Sequence, residues 1–484
     1  MIVSDLVTSV AADHPELAAM IEGDRTITYR KLETTVRRTA AHLHSLGVTP
    51  GDRVGLCLKD NANHLIALLA VARAGAIALP LDWRGKPAEL RHQTARFLPR
   101  LVLVEDGATG ETGAVSIALD RSWHAAVAAA ADDMDFPNDA NADFLISPSS
   151  GTTGEPRGAL VTHIDYAARY ARLQRGFGLP FGLRGLSVTP LVYSAGRNNS
   201  LYLLFGGGTV VFYPPLFAPE EYVEQINRNG ATFAFVVPTV LRWLLKLPQS
   251  KALLFPSMKV FTTGGAFVSA EEKREFVRRV SPRLHVSYSS SSTGQISLLM
   301  PDEMETRAES AGRPQHLVEV EMVDDDDRVV PTDVTGRLRC RGPGIGGRFF
   351  GEDPPRVEAG QAHPWLYTGE LAAFDRDGYI HLRGRVSEII IRDGINIYPE
   401  EIETLLRAQP GVAEAAVVGR PSDEHGEETV AFVVADGPLD AGVLLHACKR
   451  QLTRYKVPSE IIFMDALPKT VAGKVMKNDL AASL

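Results

Sequence analysis

DFLISPSSGTTGEPRG, residues 143–158, joins an apolar run to a stretch built largely of small and hydroxylated residues. DFLISP (143–148) reads as a strand, Ser147 to Gly158 as a loop, and a helix capped by Thr162 is expected to follow. Glycines reach φ > 0 and let backbone N–H groups converge, and Ser and Thr hydroxyls add donors, so such a loop suits a polyphosphate. Arg157 adds a positive charge at its end. The loop is not the P-loop: GxxxxGK[ST] has no match, because the glycines fall elsewhere and no Lys-Ser/Thr pair follows. Taken alone, such a stretch is more often a flexible loop than a phosphate site; its strand–loop–helix context and Arg157 raise the phosphate reading to about even.

On both sides of it, from about residue 30 to 260, short apolar runs alternate with helix-like segments. TITYRKLETTVRRTAAHLHSLG (26–47) opens a helix after Thr28, carries Leu32, Val36, Ala40 and Leu43 on one face and stops at Gly47. RVGLCL (53–58), AIALPL (76–81) and LVLVED (101–106) read as strands, with NHLIALLAVARAG (63–75) as a helix between the first two. GTVVFY (208–213), FAFVVP (233–238) and KVFTTGG (259–265) repeat the rhythm. Strands alternating with helices predict a mostly parallel sheet covered on both faces. After about residue 315, VEVEMVDDDDRVVP (318–331) and TGRLRCRG (335–342) read as antiparallel hairpin strands, with the acidic run 324–327 as a solvated tip rather than a cation site. From about 386, roughly 100 residues of α+β texture suggest a small domain with its own core. The expected fold is α/β: a large N-terminal domain, residues 1–385, of parallel-sheet layers plus a small barrel-like β region, and a small α+β C-terminal domain, residues 386–484.

The length of 484 residues is about three times a ~150-residue domain. With 45% hydrophobic and 23% charged residues, wholesale disorder is excluded. The net charge of −8 argues against a chain that coats nucleic acid. Cys57, Cys340 and Cys448 are odd in number and lack CxxC spacing, so a reducing compartment fits better than disulfides or a cysteine zinc site. The N-terminus has no signal-peptide pattern. The uncharged stretch 198–219 is broken by Gly206-Gly207-Gly208 and Pro214-Pro215, short of the ~20 apolar residues of a membrane helix. A soluble, cytoplasmic protein is expected.

Two further segments offer chemistry. LYTGE (366–370), followed by DGY (377–379) and Gly384-Arg385, sets a carboxylate after a tight turn with an arginine nearby. The pair suits ribose hydroxyls and phosphate oxygens, or is a hairpin with a surface ion pair worth ~0–1 kcal/mol. LPKTVAGK (467–474) ends in Lys474, a solvated tail unless one domain closes on another and returns it to the loop at 147–158.

SSGTTGEPRG (149–158), LYTGE with DGYIHLRGR (366–385), IIIRDGINIYPEEIE (389–403) and LPKTVAGK (467–474) stand in the order and spacing of the AMP-forming adenylating superfamily of acyl-CoA synthetases, adenylation domains and luciferases. The chain resembles that superfamily from ITYRKLE (27–33) to Lys474. The resemblance implies a mobile C-terminal domain hinged just after Gly384-Arg385, with Ser387 at the hinge position. It implies that Ser149, Ser150, Gly151, Thr152, Thr153, Gly154 and Arg157 hold ATP phosphates, with Arg157 in place of the usual lysine. Gly264, Gly265 and Ala266 would line the adenine and acyl sites, and Tyr288 would stack on adenine. Glu370, where aspartate is usual, and Arg385 would take the ribose. Lys474 would contact the reacting carboxylate and α-phosphate. The family pattern Tyr-Gly-x-Thr-Glu aligns with Tyr288-Ser-Ser-Ser-Ser292. Ser291 keeps a hydroxyl for the α-phosphate, whereas Ser292 replaces a magnesium-holding glutamate and is a poorer ligand, acting at best through water. The metal is then left to ATP and water, to another carboxylate, or to weakened catalysis.

The implied reaction has two halves. A carboxylate attacks the α-phosphorus of ATP and expels pyrophosphate; the C-terminal domain then rotates, and a thiol displaces AMP, with Arg392, Asp393 and Gly394 on the thiol side. Tyr193, Arg197, Gly264 and Ser289 stand on the acid side, where Arg197 either reaches a second carboxylate or is paired structurally. A carboxylate–CoA ligase using ATP, Mg2+ and coenzyme A is the leading expectation. The alternatives are loading of a carrier protein's phosphopantetheine and a catalytically impaired nucleotide-binding relative. Expected partners are a small carboxylic acid, an acyl carrier protein in the alternative, and a second copy of the chain in a homodimer, with no nucleic acid and no membrane insertion.

Overall fold

Thr28 opens the helix Tyr29–Ser45 by accepting the Lys31 N–H on its hydroxyl, and Leu32, Val36, Ala40 and Leu43 are buried along one face. Asn61 caps the helix Ala62–Arg73 in the same way, accepting from His64 N. Its residues other than Asn63 are buried, because it lies in a core drawn from both large sheets. The computed structural model describes residues 1–105, 112–136, 139–150, 156–213, 218–249, 252–358, 360–393, 395–422, 424–469, 473 and 475–484, with Ser149, Ser150 and Pro156 described by backbone alone. Among these residues the strands form four sheets.

The largest sheet has nine strands. Its parallel part runs Leu284–Ser290, Val260–Gly264, Phe233–Val236, Arg184–Ser187, Thr209–Phe212 and Ala18–Glu22, with antiparallel strands at both edges. The second sheet holds Ser116–Ala118, Leu101–Val104, Arg53–Cys57, Ile77–Pro80 and Asp143–Ser150 in parallel. Its edge corrects one expectation. The chain does not pass from the loop directly into a helix; Pro156–Thr162 first returns as an antiparallel strand, with Pro148 opposite Gly158 and Ser149 opposite Arg157. Gly158 is required there, since a Cβ would lie 2.6 Å from both Ile146 and Phe97. Only then does Thr162 cap the helix His163–Phe177.

The expected barrel-like region is a four-stranded antiparallel sheet of Glu319–Val323, Gly336–Arg341, Leu366–Phe374 and Ile380–Arg385. Its apolar face, with Met322, Leu338, Ala372 and Ile380, packs on Ile296 and Tyr288 of the nine-stranded sheet. The acidic run is a solvated turn in which Asp324 accepts from the backbone of Asp326 and Arg328. Beyond residue 385 a five-stranded sheet carries the helices Pro399–Arg407 and Ala441–Gln451, and both of its apolar clusters draw only on residues after 385. Among the described residues, no helix is long and apolar enough to cross a membrane. All three cysteines are buried and free.

Candidate functional site

Ligands of open α/β sheets collect at the carboxyl ends of the parallel strands, and Gly264, Gly265, Tyr288 and Ser289 lie at or just beyond that end of two neighbouring strands. Val260–Gly264 ends in Gly264, where a Cβ would meet the Ser287 carbonyl oxygen at 2.5 Å. Gly265 adopts φ +88, a left-handed conformation that favours glycine, and a Cβ on it would meet nothing within 4 Å. The next strand carries Tyr288 and Ser289 and leads to Ser291 and Ser292.

A chain of hydroxyls ties three distant motifs together. Ser147 Oγ lies 3.0 Å from Ser194 Oγ, and Ser194 Oγ donates to Ser291 Oγ at 3.1 Å. Arg197 braces the chain from below, donating to the hydroxyls of Ser147 (3.2 Å) and Ser194 (3.3 Å) and to the carbonyls of Leu191 and Val192. It is fully buried, so of its two sequence readings the geometry favours the structural one. Ser147 lies inside the stretch 143–158, and Ser194 stands between Tyr193 and Arg197. Arg169, which donates to the carbonyls of Ser291 and Ser292, had no sequence signal, because an arginine inside a helix ordinarily reads as solvent-facing.

Glu370 and Arg385 are cross-strand partners and pair at 2.9 Å. The Tyr288 phenol lies close to that pair; burial, then the negative charge of Glu370, push its pKa well above the usual range. Arg157 pairs with Glu352 at 2.6 Å and stacks 3.8 Å over the Phe349 ring. That pair is roughly half exposed and therefore weak, so phosphates can compete for the guanidinium. The side chains of Ser149 and Ser150, and all of Gly151, Thr152, Thr153, Gly154, Gly394 and Lys474, lie outside the described residues.

Ser387 is exposed in the short turn Val386–Glu388. Arg392 ends the strand Ile390–Arg392, which pairs with Ile395–Ile397, and Asp393 (φ +52) just beyond it lies 3.0 Å from His425 Nδ1. The tail returns to the large sheet: Gly473 lies so close to Thr239, at the start of the helix Pro238–Lys246, that a Cβ would stand 2.7 Å from its hydroxyl. Three residues after Lys474, Lys477 bridges Glu388 (2.8 Å) and Glu403 (2.7 Å). Beside them, burial and then the like charge of Glu403 push Glu400 up to about 7, against the pull of Arg407 and Lys477. Between the unperturbed 4.5 and that value the unfolded chain releases the proton while the folded chain keeps it, so stability falls as pH rises through this window. Glu400→Gln is expected to flatten the melting temperature between about pH 5 and pH 8; an unchanged slope would assign the dependence to other groups.

The segment 288–294 does not fit a protein-held magnesium ion. Ser292 offers a hydroxyl that is already within 3.0 Å of Ser290 Oγ, and the carbonyls of Ser291 and Ser292 accept from a guanidinium. Among the described residues no group of three or more His, Cys, Asp or Glu side chains is placed to hold a metal.

Comparison with known proteins agrees with this geometry. The AMP-binding enzyme family model matches residues 7–349, and the AMP-binding enzyme C-terminal domain matches residues 401–474. The chain is similar to the indoleacetate–CoA ligase of Aromatoleum aromaticum, 31% identical over 500 residues, with 99% of this chain and 98% of that one covered. It is similar also to the fatty acid–[acyl-carrier-protein] ligase ScoC of Streptomyces coeruleorubidus, 29% identical over 98% of this chain and 95% of that one. In three dimensions it resembles o-succinylbenzoate coenzyme A synthetase from Bacillus subtilis in complex with ATP and magnesium ion, with a TM-score of 0.86, 26% identity and 98% of each chain covered. The chain belongs to the family of AMP-binding enzymes. Within it, the reaction class is that of the AMP-forming acid–thiol ligases.

Proposed function

We propose that the protein activates a carboxylic acid with MgATP as an acyl-adenylate and passes the acyl group to the thiol of coenzyme A. One observation above all supports this: the hydroxyl chain Ser147–Ser194–Ser291 joins the phosphate loop, the acid-side motif and the α-phosphate position, and the tail at Gly473 closes on the same sheet edge at Thr239. In the first half-reaction an acid oxygen attacks the α-phosphorus and pyrophosphate leaves. Ser291 donates to a phosphate oxygen, Tyr288 stacks on adenine, Glu370 and Arg385 hold the ribose, and Lys474 neutralises the approaching anions. Magnesium enters with ATP as substrate. In the second, residues 386–484 swing about Ser387 and bring Arg392 and Asp393 to the thiol path. The thiol sulfur then bonds to the acyl carbon while the carbon–oxygen bond to AMP breaks.

The acid seat is formed by Tyr193, Gly264 and Ser289, with Arg197 behind it. Because the relatives act on indoleacetate and on a fatty acid, aryl and fatty acids are the first to test. The carrier-protein ligase among them makes a phosphopantetheine arm the second acceptor to try. We place the reaction in the cytoplasm, where three unpaired cysteines are stable, and take a homodimer as the assembly to be checked by sedimentation. Pyrophosphate release across an acid panel, followed by thioester formation with coenzyme A against carrier protein, tests the proposal. ATP binding with no turnover of any acid would overturn it.

A further inference from the structure

The oxygens that residues 291–293 offer are already engaged, and what engages them suggests how ATP is held instead. Arg169 donates through Nε to the Gly344 carbonyl at 2.7 Å and through its two Nη atoms to the carbonyls of Ser291 and Ser292. Arg172, one turn further along the same helix, donates to the Thr293 carbonyl at 3.2 Å. Arg197 stands beneath Ser147 and Ser194, as described. None of the three is more than 4% exposed. Nε of Arg172, Nη1 of Arg172 and Nε of Arg197 are buried and have no hydrogen-bond partner among the described residues.

No described carboxylate forms an ion pair with any of the three. Asp165, which also accepts from the Thr162 hydroxyl at 2.7 Å, is the carboxylate whose charge acts on Arg169 and Arg172, without an ion pair to either, and none acts on Arg197. The polar groups between the arginines are the phenols of Tyr166 and Tyr202, which burial keeps protonated and neutral. Burying a cation without a paired counter-charge is strongly unfavourable, and here three cluster with the charge of one unpaired carboxylate acting on two of them. A bound anion above that loop relieves the imbalance, and in a poorly screened interior the attraction reaches beyond direct contact.

We propose that Arg169, backed by Arg172 and Arg197, supplies the positive charge that meets the α- and β-phosphates of ATP, so that the nucleotide binds without a protein-held metal and position 292 has no need of a carboxylate. This rests on the ATP-site reading given above. Arg169 acts as a positioning residue: it fixes the Ser291 hydroxyl through the backbone and contributes its charge from one layer below.

Calorimetric titration of the full-length chain with ATP, in magnesium and in EDTA, tests it. Wild type is expected to bind ATP in EDTA within about tenfold of its MgATP affinity. Arg169→Met is expected to weaken metal-free binding by about tenfold or more, and Arg169→Lys, which keeps the charge, to retain most of it. Ser292→Glu is expected to shift the preference toward MgATP. Thermal melting shows whether each variant is folded. Should Arg169→Met not fold, the wild-type EDTA titration and Ser292→Glu still decide. Wild type that binds MgATP but not ATP in EDTA would overturn the inference. So would a folded Arg169→Met with unchanged metal-free affinity, or a Ser292→Glu variant whose preference does not move. Absence of binding in both conditions would overturn the ATP-site reading instead, so the two failures are distinct.

Discussion

Lys474→Ala is expected to slow adenylate formation by about 10²–10³-fold, the loss typical of removing one preorganised donor from a developing charge. Lys474 itself lies outside the described residues. On either side of it the tail is anchored: Lys469 pairs with Val475 in an antiparallel bridge, and Met476 N donates to the Pro468 carbonyl at 2.9 Å. Lys477 is tied to Glu388 and Glu403, and Gly473 rests against Thr239. The acid and ATP are both anionic, so the repulsion at attack is where a fixed positive charge lowers the barrier most. Attack of a thiol on the acyl carbon joins no second anion to the phosphate, and with supplied acyl-adenylate the variant is expected to form thioester at the wild-type rate. Equal loss in both half-reactions would show that Lys474 supports the structure rather than the first step.

Glu370→Ala is expected to raise the KM for ATP by about 10²-fold with a smaller change in kcat. Two ribose hydroxyls donating to one carboxylate are each worth ~1.5–3 kcal/mol. Part of that is offset because Arg385 already occupies one carboxylate oxygen, leaving about 3 kcal/mol, or two decades in affinity. Ribose contacts are equally present before and during phosphoryl transfer, so the loss should fall on KM. Glu370→Asp restores the charge with a shorter arm and is expected to recover much of the affinity. A KM unchanged in Glu370→Ala would move the ribose away from this pair. Stability should change little, since the ion pair is partly exposed.

Much of the fold was legible before any coordinates. Thr28 and Asn61 announce helix starts through their own side chains, and the apolar spacing of Leu32, Val36, Ala40 and Leu43 marks the buried face. The strand Pro156–Thr162 was missed because ALVT (159–162) runs straight into a helix cap. What makes it a strand is pairing with Asp143–Ser150, a partner whose register nothing in those residues states. Arg197 left two readings open, and only packing shows its guanidinium enclosed beneath Ser147 and Ser194. Arg169 and Arg172 gave no sign at all, since a helix sequence does not say which of its polar residues a neighbouring loop will cover.

From its residues alone the chain determined its local elements, the glycines that turn them, and, through ordered motifs, its family and reaction class. These depend on short-range φ/ψ preferences and side-chain periodicity, which neighbours in the chain decide. Tertiary structure alone decided that hydroxyls 47 and 97 residues apart would meet in one chain, and that three arginines would turn inward beneath them. Those outcomes come from how two sheets and the helix His163–Phe177 pack, and long-range packing leaves no trace in the local pattern of residues.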